Sequence, residues 1–283
     1  MIDLPENDSF FISYLIMKFF YRISNNSYQK AKLPNASKEH CFLNFLAHLY
    51  TSSDSIDILA DNIHPELKLF LETNLPSNGR LIEINTGSNG SSFRQQMQMA
   101  CEMPDEQIVM LHEDDYLYRP HAQDTPTQKY NHQVITEGLA RAHYVSLYDH
   151  PDKYLPRLRG VSDQEVPVPI SPAIYHPLMV QGGVLWGNPL VSPEGIEDTG
   201  IFLTEHTHWK LTNSTTLTFA AHAQTLKEDY AIWEKNSRGH HPDDFEAFIQ
   251  LRAAKRKIAT PIPGLATNTE YPWITPFYDW AAL

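Results

Sequence analysis

The chain has 283 residues, 42% of them hydrophobic, which is enough apolar content for one large α/β domain or two small ones and excludes a disordered chain. Its formal net charge of −12 excludes a sequence-independent grip on nucleic-acid phosphates, since no overall positive field draws in a polyanion; a nucleotide ligand would need a metal ion to neutralise its phosphates. Cys41 and Cys101, the two cysteines, have no CxxC spacing, which excludes a cysteine zinc site and a disulfide framework and fits a reducing cytoplasm.

Residues 1–9 carry Asp3, Glu6 and Asp8 and no basic side chain, the wrong sign for the start of a secretory signal. The apolar stretch 10–21 is interrupted by Lys18 and is shorter than the roughly 18 to 20 residues that cross a bilayer, so it predicts two strand segments, or one strand and its lead-in, and no transmembrane segment. Peripheral association with a membrane through partner proteins remains compatible with the sequence.

Between residues 19 and 115 one theme repeats: a short apolar, β-branched or aromatic run, then a crossover. Strands are predicted over 19–23, 56–60, 81–84 and 108–111, and helices over 41–50, 66–72 and 91–101, where apolar residues recur at helical spacing. Such alternation predicts a parallel α/β sheet. Each strand run ends in small or polar residues: Ser24, Asn25, Asn26 and Ser27; Asp61 and Asn62; residues 85–90; and Glu113, Asp114 and Asp115. Ligands of open α/β sheets bind at the carboxyl ends of the strands, which places a site there.

Residues 149–198 are rich in Pro and Gly, with Val166, Pro167, Val168 and Pro169 and then Gln181, Gly182 and Gly183, a texture expected of long loops that cover a site. Residues 204–219 predict a strand pair and 242–257 a helix.

The run QIVMLHEDDYL over 107–117 passes from buried apolar residues straight into three carboxylates. Crowded like charge is costly unless a cation shares it, and hard divalent ions take carboxylate oxygens while keeping positions open for phosphates. Asp114 and Asp115 are the candidate metal ligands, with Glu113 beside them.

With this motif in place, the first half resembles the nucleotide-binding half of GT-A fold glycosyltransferases of the family-2 type, in which an acidic strand end binds the metal and the donor diphosphate. The resemblance implies an α/β fold with a mixed, mostly parallel central sheet flanked by helices, as one domain over 1–283 with a nucleotide-sugar half over about 1–148 and an acceptor half over about 149–283. It implies Mn²⁺ or Mg²⁺, a UDP-, GDP- or dTDP-sugar donor and a glycan or other hydroxyl acceptor, with surface polysaccharide or glycan synthesis as a setting. It also implies that Asp61, with Asn62, Ser24 and Asn25 nearby, contacts the base or ribose, that the loop and helix start NTGSNGSSFR over 85–94 bring Asn89 and Arg94 near the donor, and that Asp114 meets the diphosphate through the metal. The adjacent aspartates depart from the commoner motif, in which one residue separates them.

Transfer to an acceptor hydroxyl also needs a base. His241, Pro242, Asp243 and Asp244 open the predicted helix, similar to the acidic helix start of inverting GT-A enzymes, which makes Asp244 the first candidate base and Asp243 the second. Glu205, His206, Thr207, His208, Trp209 and Lys210 read as a strand with His206, His208 and Lys210 on one face, suited to bind the diphosphate or assist the metal, and with Trp209 able to stack on a sugar. Residues 214–216 read as strand. Residues 261–270 read as a loop returning to the site, and Trp273, Phe277, Tyr278 and Trp280 as anchors of the tail. The alternatives are a carbohydrate- or nucleotide-binding module without turnover, and a metal-dependent hydrolase.

Overall fold

The computed structural model describes residues 16–25, 31–121, 125–151 and 200–283. Residues 10–15, Asn26, Ser27 and the Pro- and Gly-rich stretch from 152 on, each assigned a role above, lie outside the described residues.

The first four strands are β1 (Met17–Ser24), β2 (Ser55–Asp61), β3 (Gly79–Ile84) and β4 (Ile108–His112), and α1 (Lys38–His48), α2 (Pro65–Thr73) and α3 (Asn89–Cys101) connect them. The four strands are mutually parallel and stand in the order β3-β2-β1-β4. Parallel strands joined by helical crossovers are covered on both faces, which is why β1 reads as the nearly unbroken apolar run MKFFYRIS.

Alternate residues of β1 feed two cores. Phe19, Tyr21 and Ile23 pack with Phe42 and Phe45 of α1, and Phe20 packs with Phe93 and Met97 of α3. Lys18, the one base in the early apolar stretch, is buried in an ion pair with Asp57 at 2.8 Å. Asp57 also takes a two-pronged contact from Arg80, at 2.8 and 2.5 Å, so neither charge is buried alone.

After β4 the chain bends at the acidic triplet into β5 (Tyr116–Tyr118), then α4 (Thr127–Leu139) and β6 (Tyr144–Val145). The remainder supplies β7 (Ile201–Leu203), β8 (His208–Thr212), β9 (Phe219–His222), α5 (Ala223–Glu228), α6 (Tyr230–Asn236), α7 (Asp244–Ala253), β10 (Ile258–Ile262) and β11 (Ala266–Asn268). Among the described residues the main sheet has nine strands in the order β3-β2-β1-β4-β9-β6-β10-β8-β7, with β9 and β8 running against the rest, and β5 and β11 form a second, two-stranded sheet. The mixed, mostly parallel sheet flanked by helices is the fold that the sequence predicts.

Several elements differ from expectation. Residues 204–219 hold one whole strand, β8, which forms a hairpin with the preceding β7, and at 219 begins β9, which departs to pair with β4 and β6. Residues 214–216 are loop, where the Thr216 hydroxyl accepts from Tyr116 at 2.6 Å. Residues 261–270 hold parts of two strands, and β11 carries Glu270 back toward the acidic triplet, with Thr269 N donating to Asp115 O at 3.0 Å. Among the described residues no helix is long and apolar enough to cross a membrane.

Candidate active site

The chain leaves β1 outward to β2 and β3 and returns to β4 on the other side of β1, which makes the β1/β4 boundary a topological switch point. The connections diverge there and leave a crevice at the carboxyl ends. A cleft of about 380 Å³ lies at this place, of a size that suits a small-molecule site. It is lined by Ser24 of β1, Asp61 and Asn62 at the end of β2, Asn89 at the start of α3, and Glu113, Asp114 and Asp115 after β4.

The acidic triplet is held by specific partners. Asp114 accepts from Ser24 N at 2.9 Å and from the Lys38 ammonium; Asp115 is 3.5 Å from Lys32; and Glu113 takes Arg22 at 3.0 Å. Arg22 also donates to Ser92 Oγ at 3.1 Å and to Asn89, fixing the start of α3 against the triplet. Burial pushes Glu113 up to about 8; Arg22 opposes the rise, while Asp115, Asp244 and Asp114 add to it. Burial raises Asp115 as well, partly offset by Lys32 and reinforced by Asp114. Around the cleft five carboxylates, counting Asp61 and Glu270, face the three cations Arg22, Lys32 and Lys38. Burial is the first cause of both shifts, and the surplus of negative charge adds to it.

Beneath the triplet, His112 stacks on Tyr21 with ring centroids 4.7 Å apart, and its Nε2 meets the Tyr118 hydroxyl at 2.8 Å. Burial lowers His112 to about 3, so the imidazole packed under the triplet is neutral.

The second wall comes from the loop before α7, which brings His240 and His241 to the cleft. Gly90 holds this loop: its N–H donates to His240 O at 2.9 Å, and a Cβ there would lie 2.1 Å from Gly239 O. Arg94 donates to Ser237 O and, at 2.9 Å, to Ser91 Oγ, so it buttresses the same loop and is not among the residues that line the cleft. Asp243 spends its carboxylate capping Glu246 N at 3.0 Å. Asp244 is the first residue of α7, half-buried, and its charge reaches Glu113.

The other sequence candidates fall as follows. Asp61 is largely buried and straps β2 to β3, accepting from Thr86 N at 2.9 Å, from the Thr86 hydroxyl and from Asn62 at 2.7 Å. Asn25 accepts from His64 N at 2.6 Å. His206 lies in the turn before β8 and does not share a strand face with His208 and Lys210, because Thr204 N and Thr207 O close that turn at 3.0 Å. Lys210 is buried on Asp149 at 2.8 Å, His208 is exposed, and Trp209 is fully buried against Phe202, which makes it a core residue. Glu137, Glu205 and His206 bring three ligand-type atoms within 4.8 Å of one another near the β7 edge of the sheet, remote from the β1/β4 crevice.

Sequence reasoning missed Arg22, Lys32, Lys38 and His240, and it named the segments that hold Thr86, His241 and Glu270 without giving those residues a role. Only Arg22 had a local signal: a cation inside an apolar strand must find a buried partner.

A parallel β3-β2-β1-β4 half, an antiparallel β9 beside β4 and an acidic bend at the switch point give one architecture. It is the mixed, mostly parallel sheet that the GT-A resemblance implies. Among solved structures the chain is similar to the galactosyltransferase LgtC in complex with donor and acceptor sugar analogues, at 10% identity and a TM-score of 0.41, over 86% of this chain and 73% of that one. It is also similar to S. aureus TarS 1–349, at 11% identity and a TM-score of 0.43, over 87% of this chain and 58% of that one. For TarS 1–349 in complex with UDP the values are 13%, 0.40, 86% and 57%. No family model matches the chain, and no curated protein does.

Proposed function

We propose that the chain is a metal-dependent glycosyltransferase that moves a sugar from a UDP-, GDP- or dTDP-sugar to an acceptor hydroxyl, with inversion, and that it does so in the cytoplasm within surface polysaccharide or glycan synthesis. The observation that carries this reading is the excess of carboxylates over cations around a cleft at the switch point of the sheet.

Oxygen donors of this kind fit a hard divalent ion, and the negative surplus at the cleft calls for one. Asp114 and Asp115 would hold Mn²⁺ or Mg²⁺, which supplies charge stabilisation to the departing diphosphate. Ser24, Asn62 and Asn89 line the wall where the nucleotide would lie, and Asp61 shapes that wall by tying the ends of β2 and β3 together. Asp244 is the better base of the acidic pair, because its charge reaches Glu113 of the acidic triplet while Asp243 caps the amide of Glu246. A base there takes the acceptor proton as the sugar transfers.

Calorimetric titration of UDP, GDP, dTDP and CMP, each with Mn²⁺ and again with EDTA, tests the reading. Metal-dependent binding of one nucleotide supports it and names the donor class. No binding of any of the four overturns it in favour of a binding module without a nucleotide or a hydrolase.

A further inference from the structure

The three cations of the cleft are not held alike. Arg22 has a side chain only 8% exposed, and it spends its two terminal nitrogens on Asn89, Ser92 and Glu113, so it belongs to the wall. Lys32 and Lys38 are 21% and 18% exposed, and each ammonium meets one carboxylate of the adjacent pair, Lys32 on Asp115 and Lys38 on Asp114. Both also line the cleft.

Helix stability does not explain Lys38. It follows the cap residue Ser37 as the first residue of α1, the end of a helix where the macrodipole disfavours a cation. A partly exposed ion pair adds little to folding. The two lysines thus occupy the carboxylate oxygens for which a divalent ion would compete.

Charge accounting gives them a second partner. A divalent ion on two carboxylates is neutralised by them, which leaves the negative charge of a bound diphosphate without a counterpart. Two freed ammonium groups supply it, and a lysine, a compact charge on a flexible stem with three donors, can turn from one oxygen to another without moving the backbone.

Building on the proposed transferase reading, we propose that Lys32 and Lys38 are diphosphate-binding residues of the donor site. They are counterions of Asp115 and Asp114 until a divalent ion takes those carboxylates, and they then bind the phosphate oxygens of the nucleoside diphosphate.

The exchange predicts effects of opposite sign in one variant. Calorimetry of Mn²⁺ alone, and of pyrophosphate in excess Mn²⁺, is compared for the wild type, Lys32→Met, Lys38→Met and Lys38→Arg, with thermal unfolding to confirm that each is folded. Removing an ammonium removes a competitor, so both Met variants bind Mn²⁺ several-fold more tightly. The same variants bind manganese pyrophosphate about tenfold more weakly, the scale of one charge-assisted hydrogen bond. Lys38→Arg keeps the pyrophosphate affinity.

A structural ion pair would give parallel losses of both affinities, and an idle one would leave both within about twofold of wild type, the scatter of an uninvolved surface pair; either result overturns the proposal. Should Lys38→Met not fold, Lys32→Met decides by the same signs. Absence of Mn²⁺ binding to the wild type is a different failure, since it removes the metal reading together with the exchange built on it.

Discussion

Ser24 and Asp114 are joined across the switch point: the backbone N–H that ends β1 donates to Asp114 Oδ2 at 2.9 Å. Two parallel strands whose starts, Met17 and Ile108, lie 91 residues apart in the chain thereby share one polar contact at the mouth of the cleft. The register that pairs Tyr21 with His112 sets this contact, so the acidic bend is aimed by the sheet and not by its own sequence.

Replacing Asp114 or Asp115 by Asn should abolish metal-dependent nucleotide binding with little loss of fold, because each substitution relieves like-charge crowding while removing a ligand oxygen. The expected result is at least about a hundredfold weaker nucleotide binding in Mn²⁺, consistent with the loss of a charged contact in a desolvated site. Retained metal-dependent affinity in both variants would remove the two aspartates from the metal site.

Asp244→Asn should leave donor binding intact and lower turnover by about 10²- to 10⁴-fold, the contribution of a positioned base. Asp243→Asn should lower stability by up to about 1 kcal/mol through its cap and leave turnover nearly unchanged, since Asn also caps well. The reverse pattern in the transfer assay would exchange the two roles.

Gly90→Ala tests the positioning of the second wall. Its Cβ would lie 2.1 Å from Gly239 O and 2.6 Å from Ser237 O, both backbone atoms, so either α3 or the loop must shift. A cost of about 1 to 3 kcal/mol is expected from the overpacking, together with weaker donor binding as His240 and His241 move. A folded variant with wild-type stability and affinity would show that the loop is not held there.

His112 gives a pH signature. Its folded value of about 3 lies below the 6.5 of an ordinary histidine, owing first to burial. The unfolded chain therefore binds a proton that the folded chain does not between those values, and stability contributed by the neutral ring is present above pH 6.5 and lost as pH falls toward 3. His112→Phe should remove a slope of up to about 1.4 kcal/mol per pH unit from the urea-unfolding free energy measured across that window. An identical slope in wild type and variant would mean that His112 titrates normally in the fold.

The parallel half of the sheet was legible in the sequence because its inner strands β1, β2 and β4 are buried on both faces and so read as short apolar runs, as in residues 19–23, 56–60 and 108–111. The site's location was legible for a related reason: polar residues at the ends of such runs have nowhere to go but the crevice. Arg94, by contrast, sits in the right segment for a donor contact, and only the close approach of α3 to the loop at Ser237 shows that its guanidinium braces that loop.

Trp209 and Lys210 mark the limit more sharply. An alternating strand pattern gives the two faces of β8 but not what covers each, and packing against Phe202 and pairing with Asp149 bury both. The sequence by itself determined the strand order's raw material, the acidic bend and its charge. Which cation meets which carboxylate, Lys32 with Asp115, Lys38 with Asp114 and Arg22 with Glu113, was decided only when the crossovers brought segments 76 to 91 residues apart to one switch point, because a charge pairs with what the fold places within reach and not with what lies near it in the chain.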